Sequence, residues 1–478
     1  MMLNVKERKA LPFIFRSIAL VIALAAVTVA ILSCSAEDVP MTEPLTNGTA
    51  SDSSLQQPAS PPGPGAGSVT ETTPSPQPPP EITHEPAPEQ LPEETQTTDD
   101  APITEPARQA EELTGMLTIT ISDGKRAGVL LDRDYTTKYS LSGDATIGIS
   151  SPEDIYALYV IWDLPPGEWE LTGDCAQTCG FDGFIHEYIQ LSAPSSELTM
   201  NIPPDGARLC DIYAFTEGVP PDWVQIWSPP LYEADLLVLP THADDEHLYF
   251  VGILPYYAGE LGYSVQVAYM TNHWNQPPRP HELLNGLWVV GIRNYPVISS
   301  FRDRYADSLS QAKSIFGWAA VVDFQVELLR RFKPFVVVGH DVNGEYGHGA
   351  HMLNAAAIMT AVDCAADRTY HLDSYEKYGI WDTPKLYLHL YRENAITMDW
   401  SIPLENFGGA TAYEMAVAGY ACHLSQHNWS FRVPETGSVG HKFGLVRSLV
   451  GDDVIGGDLF ENIDFSRNTA NDNGILID

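Results

Sequence analysis

Two short runs of the chain concentrate the residue types that bind metal ions and move protons. The first, 241–246, reads Thr-His-Ala-Asp-Asp-Glu, and the second, 345–351, reads Glu-Tyr-Gly-His-Gly-Ala-His. Two histidines and a carboxylate are the donor set of a catalytic zinc centre, which leaves a fourth position for water. A further carboxylate beside such a centre can act as a general base. His348 and His351 are three apart, so at a helix start they share a face. Taken singly, each residue has a plainer explanation. A lone histidine is usually an ordinary loop residue, and Asp-Asp-Glu suits any solvated helix start because of the dipole. The combination, with each run following an apolar strand, is what points to a site.

Those strands and their helices decide whether the two runs can meet. Residues 234–239 (Ala-Asp-Leu-Leu-Val-Leu) and 335–339 (Phe-Val-Val-Val-Gly) are nearly continuous apolar runs, as in strands buried on both faces. Between and after them, 248–261 reads as a helix broken near Pro255, 264–270 as a strand, and 283–291 and 311–332 as helices. An Ala-rich helix covers 351–366. Strand–helix alternation of this kind predicts an α/β domain with a mostly parallel sheet. Ligands of such sheets sit beyond the carboxyl ends of the strands. Both polar runs therefore reach the same rim.

From about residue 232 to the C-terminus the chain resembles the PIG-L/LmbE-like family of N-acetylglucosaminyl N-deacetylases. The family's A/T-H-P-D-D-E motif corresponds to 241–246, and its Y-G-H-P-D-H motif to 346–351. Weaker matches are Arg-Pro-His-Glu at 279–282 and His-Leu-Ser-Gln at 423–426, similar to the family's R-x-x-E and late H-x-S-Q. The resemblance covers about half of the chain. It implies a Rossmann-like sheet, a Zn2+ cofactor (or another divalent metal), and hydrolysis of the N-acetyl amide of an N-acetylglucosamine-type sugar or glycoconjugate. Residue by residue, it implies His242, Asp245 and His351 as metal ligands and Asp244 as the base that deprotonates the attacking water. Zinc makes that step feasible by bringing the water's pKa to about 7. Tyr346 would help hold the oxyanion, His348 would stabilise charge or protonate the leaving amine, and Arg279 would orient a polar group of the substrate. Glu246 would support the loop.

Two positions depart from the family pattern. Ala243 stands where the family has Pro, which relaxes a turn without removing chemistry. Ala350 stands where an Asp often precedes the last ligand. If that Asp orients or charges His348, its role is vacant here or passes to Glu345 or Asp341. Two other readings stay open. One is a glycan-binding surface lipoprotein with a degenerate, non-catalytic metal site. The other is a hydrolase of a different amide, since nothing in the metal site itself reads a sugar. His247, His273, His281, His340, His389 and His427 have no comparable setting and read as surface, supporting or pocket residues. Trp274, Tyr295 and Trp381 could stack on a sugar ring or pack the core.

The rest of the 478-residue chain supplies an address and a second fold. It carries 26 Lys+Arg against 63 Asp+Glu, a formal net charge of -37. So acidic a chain does not suit a polyanion, and no nucleic-acid partner is expected. Lys6, Arg8, Lys9 and Arg16 precede the apolar run 18–32, which leads into Ser33 and Cys34. This end resembles a bacterial lipobox, implying cleavage before a lipidated Cys34 and anchoring to the cell membrane. An uncleaved span is the alternative. Either places the folded part outside the cytoplasm. Residues 35–115 are rich in Pro, Thr, Glu, Ser and Gln and predict a disordered spacer.

From 116 to 229, short alternating strands (116–122, 146–150, 198–202) and a denser apolar run (155–162) are punctuated by Gly and Pro, the pattern of an all-β sandwich. The segment 130–139, followed by 147–150, loosely resembles discoidin-like jelly rolls. Trp162, Trp169, Trp223 and Trp227 could line a sugar-binding face or serve as packing. Cys175, Cys179, Cys210, Cys364 and Cys422 are odd in number and cannot all pair internally, although export permits disulfides.

Overall fold

A computed structural model describes residues 108–465, apart from 125–126, 428–429 and 436–439. All of them fall in one compact unit, Pro106–Asp478. Cys34, the apolar segment before it and the spacer as far as 107 lie outside the described residues.

The N-terminal part is antiparallel. Its strands are β1 (Thr118–Ile121), β2 (Tyr139–Leu141), β3 (Thr146–Trp162), β4 (Trp169–Thr172), β5 (Ala176–Cys179), β6 (His186–Asn201) and β7 (Ala207–Phe215). They hydrogen-bond in the order β2-β7-β3-β6-β4-β5, with β1 added to β3. Two runs expected as separate strands, 146–150 and 155–162, are halves of β3. The register breaks between Ser150 and Ile155, where the exposed residues Pro152, Glu153 and Asp154 occur. Proline cannot donate to a ladder and is tolerated at such irregularities. Order also starts earlier than residue 116, because Gln109 pairs with Val219 and Glu112 with Phe215.

The C-terminal part is a mixed sheet flanked by helices. Its strands are β8 (Leu236–Val238), β9 (Val265–Tyr269), β10 (Val297–Ile298), β11 (Val336–Gly339), β12 (Lys385–His389), β13 (Ala395–Thr397) and β14 (Lys442–Ser448). The order is β10-β9-β8-β11-β12-β14-β13. The first five run parallel and the last two are antiparallel additions. Side chains of a strand alternate between faces, and the central strands are apolar on both. Leu236, Val238, Val336 and Val338 enter one core, with α1 (Asp245–Leu248), α2 (Pro278–Val289) and α5 (Ala412–Ala421) supplying partners such as Leu248, Leu284 and Met415. Leu237 and Val337 enter the other, against α3 (Trp318–Phe332) and α4 (Gly349–Ala366).

Aromatic residues join the antiparallel sheet to α2 and the segment after it. Tyr295 stacks on Phe184 at 4.5 Å, and Trp227 meets Trp288 and Tyr295 edge-on. Trp162 and Trp169 are buried, and both indole N–H groups donate to Glu187. Of the four tryptophans considered for a sugar-binding face, only Trp223 is exposed, and it rests on Tyr159, Tyr213 and Phe215. Tyr295 and Trp381 likewise pack, the latter against Phe335. The four tryptophans therefore do not make one face. The five described cysteines are all free thiols.

Candidate metal centre

β8 and β11 are neighbouring parallel strands, with Leu236 beside Val336, so the chain leaves both at the same end. After β8 the loop closes on Asp245, whose Oδ2 accepts the backbone N–H groups of Thr241 (3.1 Å) and His242 (2.7 Å). Asp244 at the turn has φ 114°, a conformation that non-glycine residues adopt at a cost and that clusters at functional sites. Three contacts hold it. The Arg279 guanidinium donates to the Ala243 carbonyl and lies 3.4 Å from Asp244 Oδ1, and the Asp244 N–H donates to Glu246 Oε2. His273 Nε2 accepts the Ala243 N–H.

After β11 the chain turns tightly through Gly344 and Gly347, both at positive φ. A Cβ on Gly344 would lie 2.4 Å from the His348 carbonyl oxygen, so this turn needs glycine. α4 then starts at Gly349, directing His351 inward.

The two runs meet. His242 Nδ1 is 3.0 Å from His351 Nε2 and 3.3 Å from Asp245 Oδ2, and His351 Nε2 is 3.4 Å from the same oxygen. Donors about 2.05 Å from a tetrahedral ion stand roughly 3.3 Å apart. The observed separations bracket that value, so these three residues fit a single small divalent cation. His242 and His351 also group with His348 as candidate donors.

Behind the triad, Glu345 gathers three imidazoles. Its carboxylate lies 2.8 Å from His351 Nδ1, 2.7 Å from His340 Nδ1 and 2.8 Å from His389 Nδ1. A metal-binding histidine usually gives its second ring nitrogen to a carboxylate, which fixes its tautomer, and the Glu345–His351 contact has that form. Burial opposes charge on Glu345, but the histidines around it hold its carboxyl well below the ordinary range. Asp245 is treated the same way by His351, His242 and His340. Burial pushes Asp244 in the opposite direction, upward, against the pull of Arg279.

His348 lies beside the triad, its ring 4.9 Å from that of His242 and 4.8 Å from that of His351. Burial, helped by those two rings, pushes it down to about 3. Glu345 is committed to the other three histidines, and Asp341 Oδ1 accepts from Asn343. Glu345 meets His348 through its backbone carbonyl, which accepts the His348 N–H, and His348 Nδ1 has no hydrogen-bond partner among the described residues, which favours the alternative that the role of the carboxylate missing at 350 is vacant. Ala350 itself is fully buried in the core. The acidic groups acting on His348 are Asp245 and Asp303. Asp303 Oδ1 is also 3.4 Å from His242 Nε2 and its Oδ2 is 3.5 Å from His273 Nδ1.

A pocket of about 500 Å³ opens over this centre, lined by Asp244, Arg279, Asp303, Tyr305, Tyr346 and His348 among others. Tyr346 is 58% exposed and overhangs it, whereas Arg279 is 7% exposed and turned toward the loop. Asp303 and His389 had no signal in the sequence. His340 directly follows an apolar strand, the one cue that could have found it. Asp303 and His389 come from distant segments.

No family model matches the chain. Its curated relatives match locally. A 1D-myo-inositol 2-acetamido-2-deoxy-alpha-D-glucopyranoside deacetylase of Geodermatophilus obscurus is 42% identical over 62 residues, 13% of this chain and 20% of that protein. One of Streptomyces griseus is 28% identical over 166 residues, 29% of this chain and 51% of that protein. The chain thus spans about a fifth to a half of the length of these relatives. Among solved structures, the N,N'-diacetylchitobiose deacetylase of Pyrococcus horikoshii covers 41% of this chain and 72% of its own, at 15% identity and a TM-score of 0.31. The sequence similarity is local and is to deacetylases of N-acetylated sugars of the LmbE/PIG-L-like kind.

Proposed function

We propose that the protein is a metal-dependent amide hydrolase that removes the N-acetyl group from an N-acetylglucosamine-type sugar or glycoconjugate. One observation carries this: His242, Asp245 and His351 converge at the spacing a tetrahedral cation requires, beneath a pocket that also holds Asp244. The local similarity to sugar deacetylases supports the substrate class.

In this reading His242, Asp245 and His351 hold the ion, zinc by its two-nitrogen, one-oxygen donor set. A bound ion would supply Lewis acidity toward water and the amide carbonyl. The Asp244 carboxylate, raised by burial, accepts the proton of the attacking water at Oδ1 or Oδ2. Arg279 fixes that carboxylate and its strained turn, a positioning role more than the substrate contact expected from sequence. The Tyr346 hydroxyl reaches over the pocket to donate to the developing oxyanion. The proton taken by Asp244 passes to the amine nitrogen as the C–N bond breaks and acetate forms, and the neutral His348 imidazole, with Asp303 beside it, offers a hydrogen bond to the departing group.

We read the mixed sheet as Rossmann-like and the antiparallel sheet as jelly-roll-like. We also propose that the protein is held on the outer side of the cell membrane by lipid at Cys34.

The test is acetate release from N-acetylglucosamine-containing glycans by the full-length chain. Wild type should release acetate, and Asp244→Asn should retain its metal but lose release. Equal release by Asp244→Asn would exclude the base assignment.

A further inference from the structure

One residue past Asp245, α1 turns Glu246 and His247 into the interior. There they meet His423, just beyond α5. Glu246 and His247 are 1% exposed and His423 is fully buried. Glu246 Oε1 is 3.4 Å from His247 Nε2 and 3.5 Å from His423 Nε2, and the three donor atoms lie within 4.8 Å of one another. None of these three atoms has a hydrogen-bond partner, and the Tyr269 hydroxyl lies against the Glu246 carboxylate. Buried polar atoms are ordinarily paired, so three that face one another without partners need an explanation.

Glycines of α2 and α5 pack directly against these rings. A Cβ on Gly286 of α2 would come 2.7 Å from His247 Nε2 and 2.9 Å from His423 Nε2. One on Gly419 of α5 would come 2.4 Å from the His247 ring. A side chain at either position would overlap the rings and displace them.

We propose that Glu246, His247 and His423 form a second, fully enclosed divalent-cation site, separate from the centre made by His242, Asp245 and His351. Two imidazoles and one carboxylate oxygen suit zinc or a similar borderline ion better than calcium or magnesium. The separations of 3.4 and 3.5 Å match donors about 2.0–2.1 Å from a three- or four-coordinate ion. No substrate can reach an enclosed site, so its role is structural. It ties α1 to the end of α5 beside α2. Glu246 Oε2 also accepts the Asp244 N–H at 3.0 Å, so an ion on Oε1 would brace the strained turn from behind. This proposal does not depend on which amide, if any, the first centre hydrolyses.

The decisive experiment is anomalous diffraction at the zinc edge from crystals of the full-length chain loaded with Zn2+. The expected map has one peak among Glu246 Oε1, His247 Nε2 and His423 Nε2, and a separate one at His242, Asp245 and His351. Zinc content should be about two per chain, falling to about one in His423→Gln. If that variant does not fold, the wild-type map decides alone. A wild-type map with density only at the first centre overturns the second site. A peak only at the second would support it while overturning the metal centre assigned above.

Discussion

Asp244 and Glu345 show how single residues divide the work of the centre. Asp244 sits at φ 114° with its carboxylate raised by burial, so Asp244→Asn keeps the shape but removes the proton acceptor. The expected loss is about 10²–10⁴-fold in kcat with zinc content unchanged, read from acetate release beside elemental analysis. Glu345 touches no metal donor atom on the cation side, yet it lies 2.8 Å from His351 Nδ1. Glu345→Gln should weaken zinc binding about 10–100-fold in competition with a chelator; unchanged affinity would remove Glu345 from the site. The ligand candidates were legible in the sequence because each run is contiguous. The other partners of Glu345 were not, because His340 and His389 lie outside both runs.

At the scale of elements, α4 depends on a glycine with no steric freedom. A Cβ on Gly349 would lie 2.4 Å from the Ser308 carbonyl oxygen, and the Gly349 N–H donates to the Ala306 carbonyl. Gly349→Ala must push the start of α4 away and shift His351, costing about 1–3 kcal/mol with loss of bound metal. Denaturant titration and metal content together check this. In the antiparallel sheet, β7 carries Asp211, which burial pushes up to about 6 although Oδ1 accepts the Arg133 N–H. Because the folded state favours the protonated form, this group's stabilising contribution is complete below about pH 4 and is lost as pH rises through about 6. Asp211→Asn should flatten that part of the stability profile and raise the melting temperature at pH 7.5; an unchanged profile would contradict the assignment.

The central strands β8 and β11 were legible because they are apolar on both faces. β12 was not: its ends, Lys385 and His389, are buried polar residues satisfied by Asp453 and Glu345. Polarity in a sequence does not reveal a buried partner supplied from elsewhere.

At the scale of the molecule, the two sequence patterns that meet near residue 229 fall within one compact unit, joined where Trp227, Trp288, Tyr295 and Phe184 pack. Apolar–polar alternation in 116–229 showed strands, but could not show that their tryptophans would be used up in packing. Trp227→Ala should cost about 3–5 kcal/mol and lower the temperature of a single calorimetric transition. Two separate transitions in the wild type would contradict one cooperative unit.

The most direct measurement is acetate release by the full-length chain before and after its metal is stripped. Release from an N-acetylglucosamine-containing glycan should stop on chelation and return when Zn2+ is restored. Release that persists in fully stripped protein, or none from the zinc-loaded chain on any N-acetylated sugar, would contradict the proposed function.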